Sequence, residues 1–262
     1  MIDQFAQPVE GVAVSLPELG RATRTNRDGA FAFGYGDRHD QAIPAGRYEL
    51  SFNPGLKEPR FATLSRWIGV QAGRQNRLDV TRLPLLDQET PFAPLEGRSQ
   101  ASLLGGAVKL DLSNADLQFP DHRRSGDLHL QFTDYAQLPY PIGGDHLPHW
   151  VYLGQPAGIR VEGEMAVDLA APKLNQSHDY LPPEGSYVLM LGLDLVSRHI
   201  VPVGVGRIEN DRVVSAGEAH YQSLDVLGYV LQGTAAQPQL REYAEGRIDL
   251  RALLIALDNL TE

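Results

Sequence analysis

The densest group of possible metal ligands in the chain is Asp145-His146-Leu147-Pro148-His149, with His178-Asp179 as a further contributor. Two imidazoles and a carboxylate could hold a metal ion that activates water, which would make the chain a metal-dependent hydrolase using His146, His149 and His178. Pro148 disfavours a helix there, so no helical turn sets the spacing of His146 and His149. Solvated or hydrogen-bonded loop histidines are the simpler account, and the hydrolase is the last of three functional readings. Other chemistries lack their signatures. Gly-x-Ser-x-Gly, the elbow that exposes a nucleophilic serine, is absent. Glu162 and Glu164 lie two apart on an expected strand and share one face, which is more often solvated than an acid/base pair. Asp121, Asp127, Asp134 and Asp145 do not form the spaced Asp-x-Asp-x-Asp-Gly run of a calcium loop. Gly105-Gly106 and Gly143-Gly144 are not followed by Lys-Ser/Thr, so no phosphate loop is indicated. No catalytic residue and no cofactor is expected.

Binding chemistry has two candidates. The stretch from Tyr135 to Tyr152 is dense in Pro, Gly and aromatics, with Tyr135, Tyr140, Trp150 and Tyr152. Exposed, these rings would offer large rigid contact area to a glycan or a receptor. Alternatively, Trp150 and Tyr152 fill a core. Near the end of the chain, Leu250, Leu253, Leu254, Leu257 and Leu260 fall three or four apart, on one face of a helix that Asp249 can cap. This helix, the only long one expected, either docks on its own domain or packs on another chain.

Composition narrows the classes. The net charge of −10 argues against non-specific nucleic-acid binding, which needs clustered Lys and Arg. The absence of Cys excludes disulfides, thiol catalysis and cysteine-ligated metals. Tyr187 to Val196, the longest apolar run, is interrupted by Gly192 and Asp194 and is too short to span a bilayer. No basic region followed by an apolar core opens the chain, so no signal peptide is visible and the chain reads as mature or excised. An extracellular, cell-surface or periplasmic location is expected.

The elements that must position these residues read as strands. Val12 and Val14 alternate with Ala13 and Ser15, and Ala30-Phe31-Ala32-Phe33 puts both phenyl rings on one face. Asn26-Arg27-Asp28-Gly29 is a tight turn, because Gly accepts positive φ and Asp bonds its own backbone. Ile43-Pro44-Ala45-Gly46 is a second, followed by Tyr48, Leu50 and Phe52 on alternate positions. Arg66 to Val70 and Arg77 to Leu83 read as further strands. The opening Pro8-Val9-Glu10-Gly11-Val12-Ala13-Val14, the turn Thr25 to Gly29 before Phe31, and Ile43-Pro44-Ala45-Gly46-Arg47-Tyr48 together resemble the carboxypeptidase regulatory-like, or transthyretin-like, domain family. The resemblance covers about the first third of the chain. It implies a seven-strand sandwich without an active site.

Pro84 to Leu104, with Pro84, Pro91 and Pro94, reads as a stiffened linker. Beyond it, Val108-Leu110-Leu112, Leu128-Leu130-Phe132, Ile159-Val161, Met165 to Leu169, Tyr187 to Val196, Ile200 to Ile208 and Asp225 to Leu231 give a second set of strands. The run Tyr187 to Val196 is expected at the centre, covered on both faces. Asn210-Asp211 is a hairpin turn. The order of Gly105-Gly106, Phe119-Pro120, the aromatic loop, Leu181-Pro182-Pro183 and Val203 to Gly206 is similar to the sandwiches of netrin receptors and ankyrins and to plug domains of bacterial surface and toxin-shell proteins. Some of those cleave themselves at a His followed by an apolar or aromatic residue and then Ser or Thr. Here His199 precedes Ile200-Val201 and His220 precedes Tyr221-Gln222, so no self-cleavage is expected.

The sequence thus predicts an all-β chain: one sandwich over 1–83, a linker over 84–104, a second sandwich over 105–233 and an amphipathic helix over 247–262. The expected function is a non-catalytic scaffold or plug, partnered by other protein chains of an assembly and with no transmembrane segment. A glycan- or receptor-binding module is the alternative.

Overall fold

The computed structural model describes residues 1–3, 5–34, 42–55, 60–134, 138–144, 148, 150–170 and 183–260. The chain forms two compact units: Met1–Glu89 with Ala136–Pro141, and Thr90–Tyr135 with Ile142–Glu262. Both are built on antiparallel sheets, so the all-β expectation holds.

The first unit contains β1 (Ala13–Leu16), β2 (Arg21–Arg24), β3 (Gly46–Asn53) and β4 (Leu64–Val70), in the order β2-β1-β3-β4. Period-two alternation puts Val14, Leu16, Leu50, Phe52 and Leu64 inside. Thr25 ties the opening motif together, accepting from the Val12 amide at 2.9 Å and donating to the Val9 carbonyl at 2.7 Å. The Asn26–Gly29 turn forms as expected, with the Asn26 side-chain oxygen accepting from the amides of Asp28 and Ala30. Gly29 has φ +68°, and a Cβ there would lie 2.1 Å from the Met1 carbonyl oxygen. Phe31 meets Phe33 and Phe52 edge-on, with centroids 6.1 and 6.0 Å apart, although residues 30–34 are not a strand. Four strands are described where the resemblance implies seven. Arg77 to Leu83 forms no strand: Leu78 and Val80 stand exposed, so the alternation has no sheet to bury against.

The second unit begins earlier than its sequence suggests. Within the expected linker, Ala93–Glu96 and Gln100–Leu103 are strands β5 and β6. Pro94 argues against a central strand, but β5 is an end strand, where a missing N–H is tolerated. The remaining strands are β7 (Val108–Gln118), β8 (Ser125–Phe132), β9 (Trp150–Gln155), β10 (Arg160–Ala170), β11 (Tyr187–Leu193), β12 (Ile200–Glu209), β13 (Arg212–Ala216) and β14 (Val226–Leu231). Their order is β5-β8-β9-β14-β11-β12-β13-β10-β7-β6. The two end strands are therefore consecutive in the chain, separated only by Gly97-Arg98-Ser99. One hydrophobic cluster draws residues from all ten strands, so the sheet is folded around a single core.

The turn 97–99 is seated on β7: the Arg98 amide donates to the Ala115 carbonyl at 2.9 Å, and the Arg98 guanidinium grips the Asp116 carboxylate through two 3.1 Å bonds. That grip holds the Asp116 carboxyl below its ordinary range. Near the start of β7, Arg212 binds the Asp168 carboxylate and the Gly106 carbonyl, linking β13, β10 and the Gly105-Gly106 corner. Asn210 and Asp211 both adopt positive φ, as a primed hairpin turn requires. Gly206 leaves room for its neighbours, since a Cβ there would lie 2.6 Å from both Met190 and Val213.

β11 is covered on both faces, as its nearly continuous apolar run predicts. Val188 and Met190 enter the main core, whereas Tyr187 and Leu189 join Val205 on the other face. Two helices lie against that second face: α1 (Gln237–Ala244) and α2 (Leu250–Asp258). Helix α1 escapes the periodicity argument because it is eight residues long and buries only Leu240 and Tyr243. Asp249 caps α2, accepting from the Ala252 amide at 2.7 Å. Leu253 and Leu257 are buried against the chain's own sheet, with Leu250 packed beside them and Leu254 half-buried. The expectation that Leu250, Leu253, Leu254 and Leu257 could face another chain is corrected accordingly: the same apolar stripe satisfies β11 and β12.

Candidate functional site

Four aromatic residues of the second unit, Phe132, Trp150, Tyr152 and Tyr229, converge at one end of its folded sheet. Phe132 ends β8 and Trp150 begins β9, so both sit where these strands meet loops. Antiparallel register sets Phe132 opposite Tyr152, and Trp150 opposite Tyr229 on β14. Residues directly opposite share a face, which here is the inner one, where Trp150, Tyr152 and Tyr229 belong to the main core. Phe132 and Trp150 stack with centroids 3.9 Å apart and planes at 26°. Tyr152 lies edge-on to both, at 6.4 Å.

Exposure within this row is uneven. Trp150 is 5% exposed, whereas Phe132 at its side is 46% exposed. Burial pushes the Tyr152 phenol up, and the Trp150 indole and the Arg212 cation oppose that only in part. The indole N–H is buried beside the Tyr152 hydroxyl and makes no well-formed hydrogen bond. Burial likewise raises the phenols of Tyr221 and Tyr229.

Of the residues singled out from sequence, Trp150 and Tyr152 come together here, but inside the core rather than on a contact surface. Tyr140 is buried too, within the first unit. The expectation that these three rings face a partner is therefore corrected. Strand β9 draws Trp150 and Tyr152 inward, since residues two apart on a strand share its buried face. Tyr135, His146, His149 and His178 lie outside the described residues. Among the described residues, no three His, Asp or Glu side chains gather as metal ligands. Phe132 was expected on the buried face with Leu128 and Leu130. Its face is as expected, but its place at the strand's last position leaves it half in solvent.

Other polar side chains are committed to the frame. Asp225 accepts from the Gly158 amide at 2.7 Å, and Ser215 bonds both the amide and the carbonyl of Val167. Gln237 does the same for Tyr187, which pins α1 to β11, and the Tyr243 hydroxyl donates to the Glu218 carbonyl. The His129 ring bridges the Thr90 carbonyl (Nδ1, 3.1 Å) and the Gln131 amide oxygen (Nε2, 3.2 Å), with Phe92 packed at 5.1 Å.

One tight turn does bring a serine, a histidine and an acid together. Between β11 and β12, Ser197 Oγ donates to the Asp194 carboxylate and His199 Nδ1 meets the Ser197 carbonyl at 2.9 Å. Partial burial pushes the Asp194 carboxyl up, but hydrogen bonds from Ser197 and Val196 outweigh it and hold the group below its ordinary range. The serine proton is directed at the acid and the imidazole at the main chain. This is the wiring of a turn, not of a proton relay that would activate the hydroxyl.

Among the described residues, no helix is long and apolar enough to cross a membrane. Compared with protein-family models, curated proteins and solved structures, the chain finds no match.

Proposed function

We propose that this chain is a non-catalytic structural and interaction module, a scaffold or plug whose partners are other protein chains of a cell-surface, periplasmic or secreted assembly. One observation carries the reading. The side chains of Thr25, Ser215, Asp225, Gln237 and Tyr243 make hydrogen bonds to main-chain groups of neighbouring segments, so their polarity holds the frame. The resemblance of the first third to transthyretin-like domains, and of the rest to plug-type sandwiches, supports the same reading.

The test is the native size of the endogenous chain. An extract made without crosslinker is fractionated by size exclusion, and the chain is followed by an antibody. The chain is expected in species well above its own 28.8 kDa, and crosslinking mass spectrometry should map defined lysine and carboxylate contacts to particular partners. Elution of the whole population at monomer mass, with no reproducible crosslink, would refute the assembly role.

A further inference from the structure

We infer that the arm 77–80 of the first unit is a docking strand for an extended acidic segment of another protein chain, which pairs with it main chain to main chain. The arm is open. Among the described residues, the N–H and C=O groups of Arg77, Leu78, Asp79 and Val80 make no backbone hydrogen bond. Residues 71–80 are exposed throughout. A row of open main-chain donors and acceptors is a template on which a further strand can form. The arm is nonetheless held at both ends. Before it, Asn76 closes a turn: its side-chain oxygen accepts from the Gln71 amide at 2.9 Å, and its side-chain nitrogen donates to the Gln71 and Arg74 carbonyls at 3.1 and 3.2 Å. Beyond it, the Ile2 amide donates to the Thr81 carbonyl at 3.1 Å and the Leu83 amide donates to the Ile2 carbonyl at 2.9 Å. Fixed ends lower the ordering cost that an incoming strand must meet.

Charge and side-chain pattern identify the occupant. In a strand conformation Leu78 and Val80 share one face, and Arg77 and Asp79 the other. Leu78 is 37% and Val80 68% exposed, so the apolar pair lacks cover. Every charged residue between 64 and 82 is an arginine, Arg66, Arg74, Arg77 or Arg82, except Asp79. The Arg66 guanidinium reaches the Thr81 hydroxyl at 3.4 Å, so β4 adds its cation where the arm ends. A chain of net charge −10 thus carries a local cationic stretch, which complements an acidic segment with apolar residues at alternate positions. Two copies of the arm side by side would set one arginine-rich stretch against another, so a different segment fits it better. A nucleic acid also fits less well, because residues 71–82 hold no aromatic ring for bases to stack on and the overall charge repels phosphate. The inference rests on the assembly reading and names the chemistry of one partner in it.

The experiment uses the full chain and a blocked, dye-labelled peptide of alternating Glu and Val, with an alternating Lys and Val peptide and a single-stranded oligonucleotide as comparisons. Affinity is read by fluorescence anisotropy, and hydrogen exchange is followed at the amides of residues 77–80. Those amides should exchange freely in the chain alone and slow at least about tenfold when the Glu-Val peptide saturates it. Arg74→Glu with Arg77→Glu, both at exposed positions, should keep the circular dichroism and weaken that peptide about tenfold or more. Neighbouring donors on a strand point to opposite sides, so Asp79→Pro or Val80→Pro, neither of which breaks a main-chain bond, should weaken it about fivefold or more. The inference is overturned if the Glu-Val peptide leaves residues 77–80 unprotected, if the Lys-Val peptide or the oligonucleotide protects them as well, or if both proline variants bind unchanged. Protection that rises with protein concentration alone would overturn it in favour of a second copy. The assembly reading is separable: large native species whose size the double arginine variant leaves unchanged keep that reading and remove the arm, and peptide binding by a chain that runs natively as a monomer does the reverse.

Discussion

Replacing Leu253 by Ala tests the docking of the C-terminal helices most directly. Leu253 is 0% exposed on α2 and lies in one cluster with Leu189, Val205, Leu240 and Tyr243. Ile255, two residues on, is 54% exposed. Both sites share one helix and similar intrinsic propensity effects, so their difference isolates burial. Truncating leucine to alanine removes about three carbon groups, worth roughly 0.8 kcal/mol each when fully buried. Incomplete closure of the resulting space adds about 1 kcal/mol, giving about 3 kcal/mol in all. For a unit of this size that lowers Tm by about 6–12 °C. Ile255→Ala should stay within about 0.5 kcal/mol of the parent, as exposed substitutions do. Urea unfolding followed by circular dichroism measures both. Because α1 and α2 could detach together without unfolding the sheet, hydrogen exchange at the amides of residues 253–257 is read in parallel. There Leu253→Ala should lose protection by the same free energy. Equal costs for the two variants in both measurements would mean that α2 does not depend on its own sheet, and the docking argument would fall.

Two further outcomes follow from the same frame. Gly29→Ala combines a left-handed backbone with a Cβ 2.1 Å from the Met1 carbonyl oxygen, so it should destabilise the first unit by about 2 kcal/mol or more. The second unit should be unaffected, which residue-resolved hydrogen exchange can separate. Tyr152, Tyr221, Tyr229 and Tyr243 all have phenols raised by burial, so the folded state retains protons that the unfolded state releases. The stability contributed by these neutral phenols is intact below about pH 10, the ordinary tyrosine value, and falls as pH rises above it. Absorbance at 295 nm should therefore show these four of the ten tyrosines ionising only at higher pH or together with unfolding. Ten equivalent, fully reversible titrations in the folded protein would contradict the buried placement.

The strands were legible where one rule acted alone. Period-two alternation found β3, β7, β8 and β10, and a nearly continuous apolar run correctly placed β11 between two covered faces. Turn chemistry found Asn26–Gly29 and Asn210-Asp211, because positive φ is a demand of the residue itself. What remained hidden depends on long-range partners. β5 and β6 are four residues each, and Pro94 lies in the first, so only their pairing with β8 and β7 makes them strands. Arg77 to Leu83 shows the converse: alternation without a neighbouring strand stays irregular. The site was half visible. Trp150 and Tyr152 stood out by type, but whether a ring is covered depends on the strand opposite it. Phe132 was hidden in an alternating run because its distinguishing property, being last in β8, belongs to the fold.

The joining of β5 and β6 by three residues has a bearing on solubility. Each end of the ten-stranded sheet offers only four residues of ladder, and the two ends are tethered to each other. An incoming peptide therefore finds too little open main chain to extend the sheet, which is how β proteins commonly resist polymerising into fibres. Strong association through this unit must come from side chains.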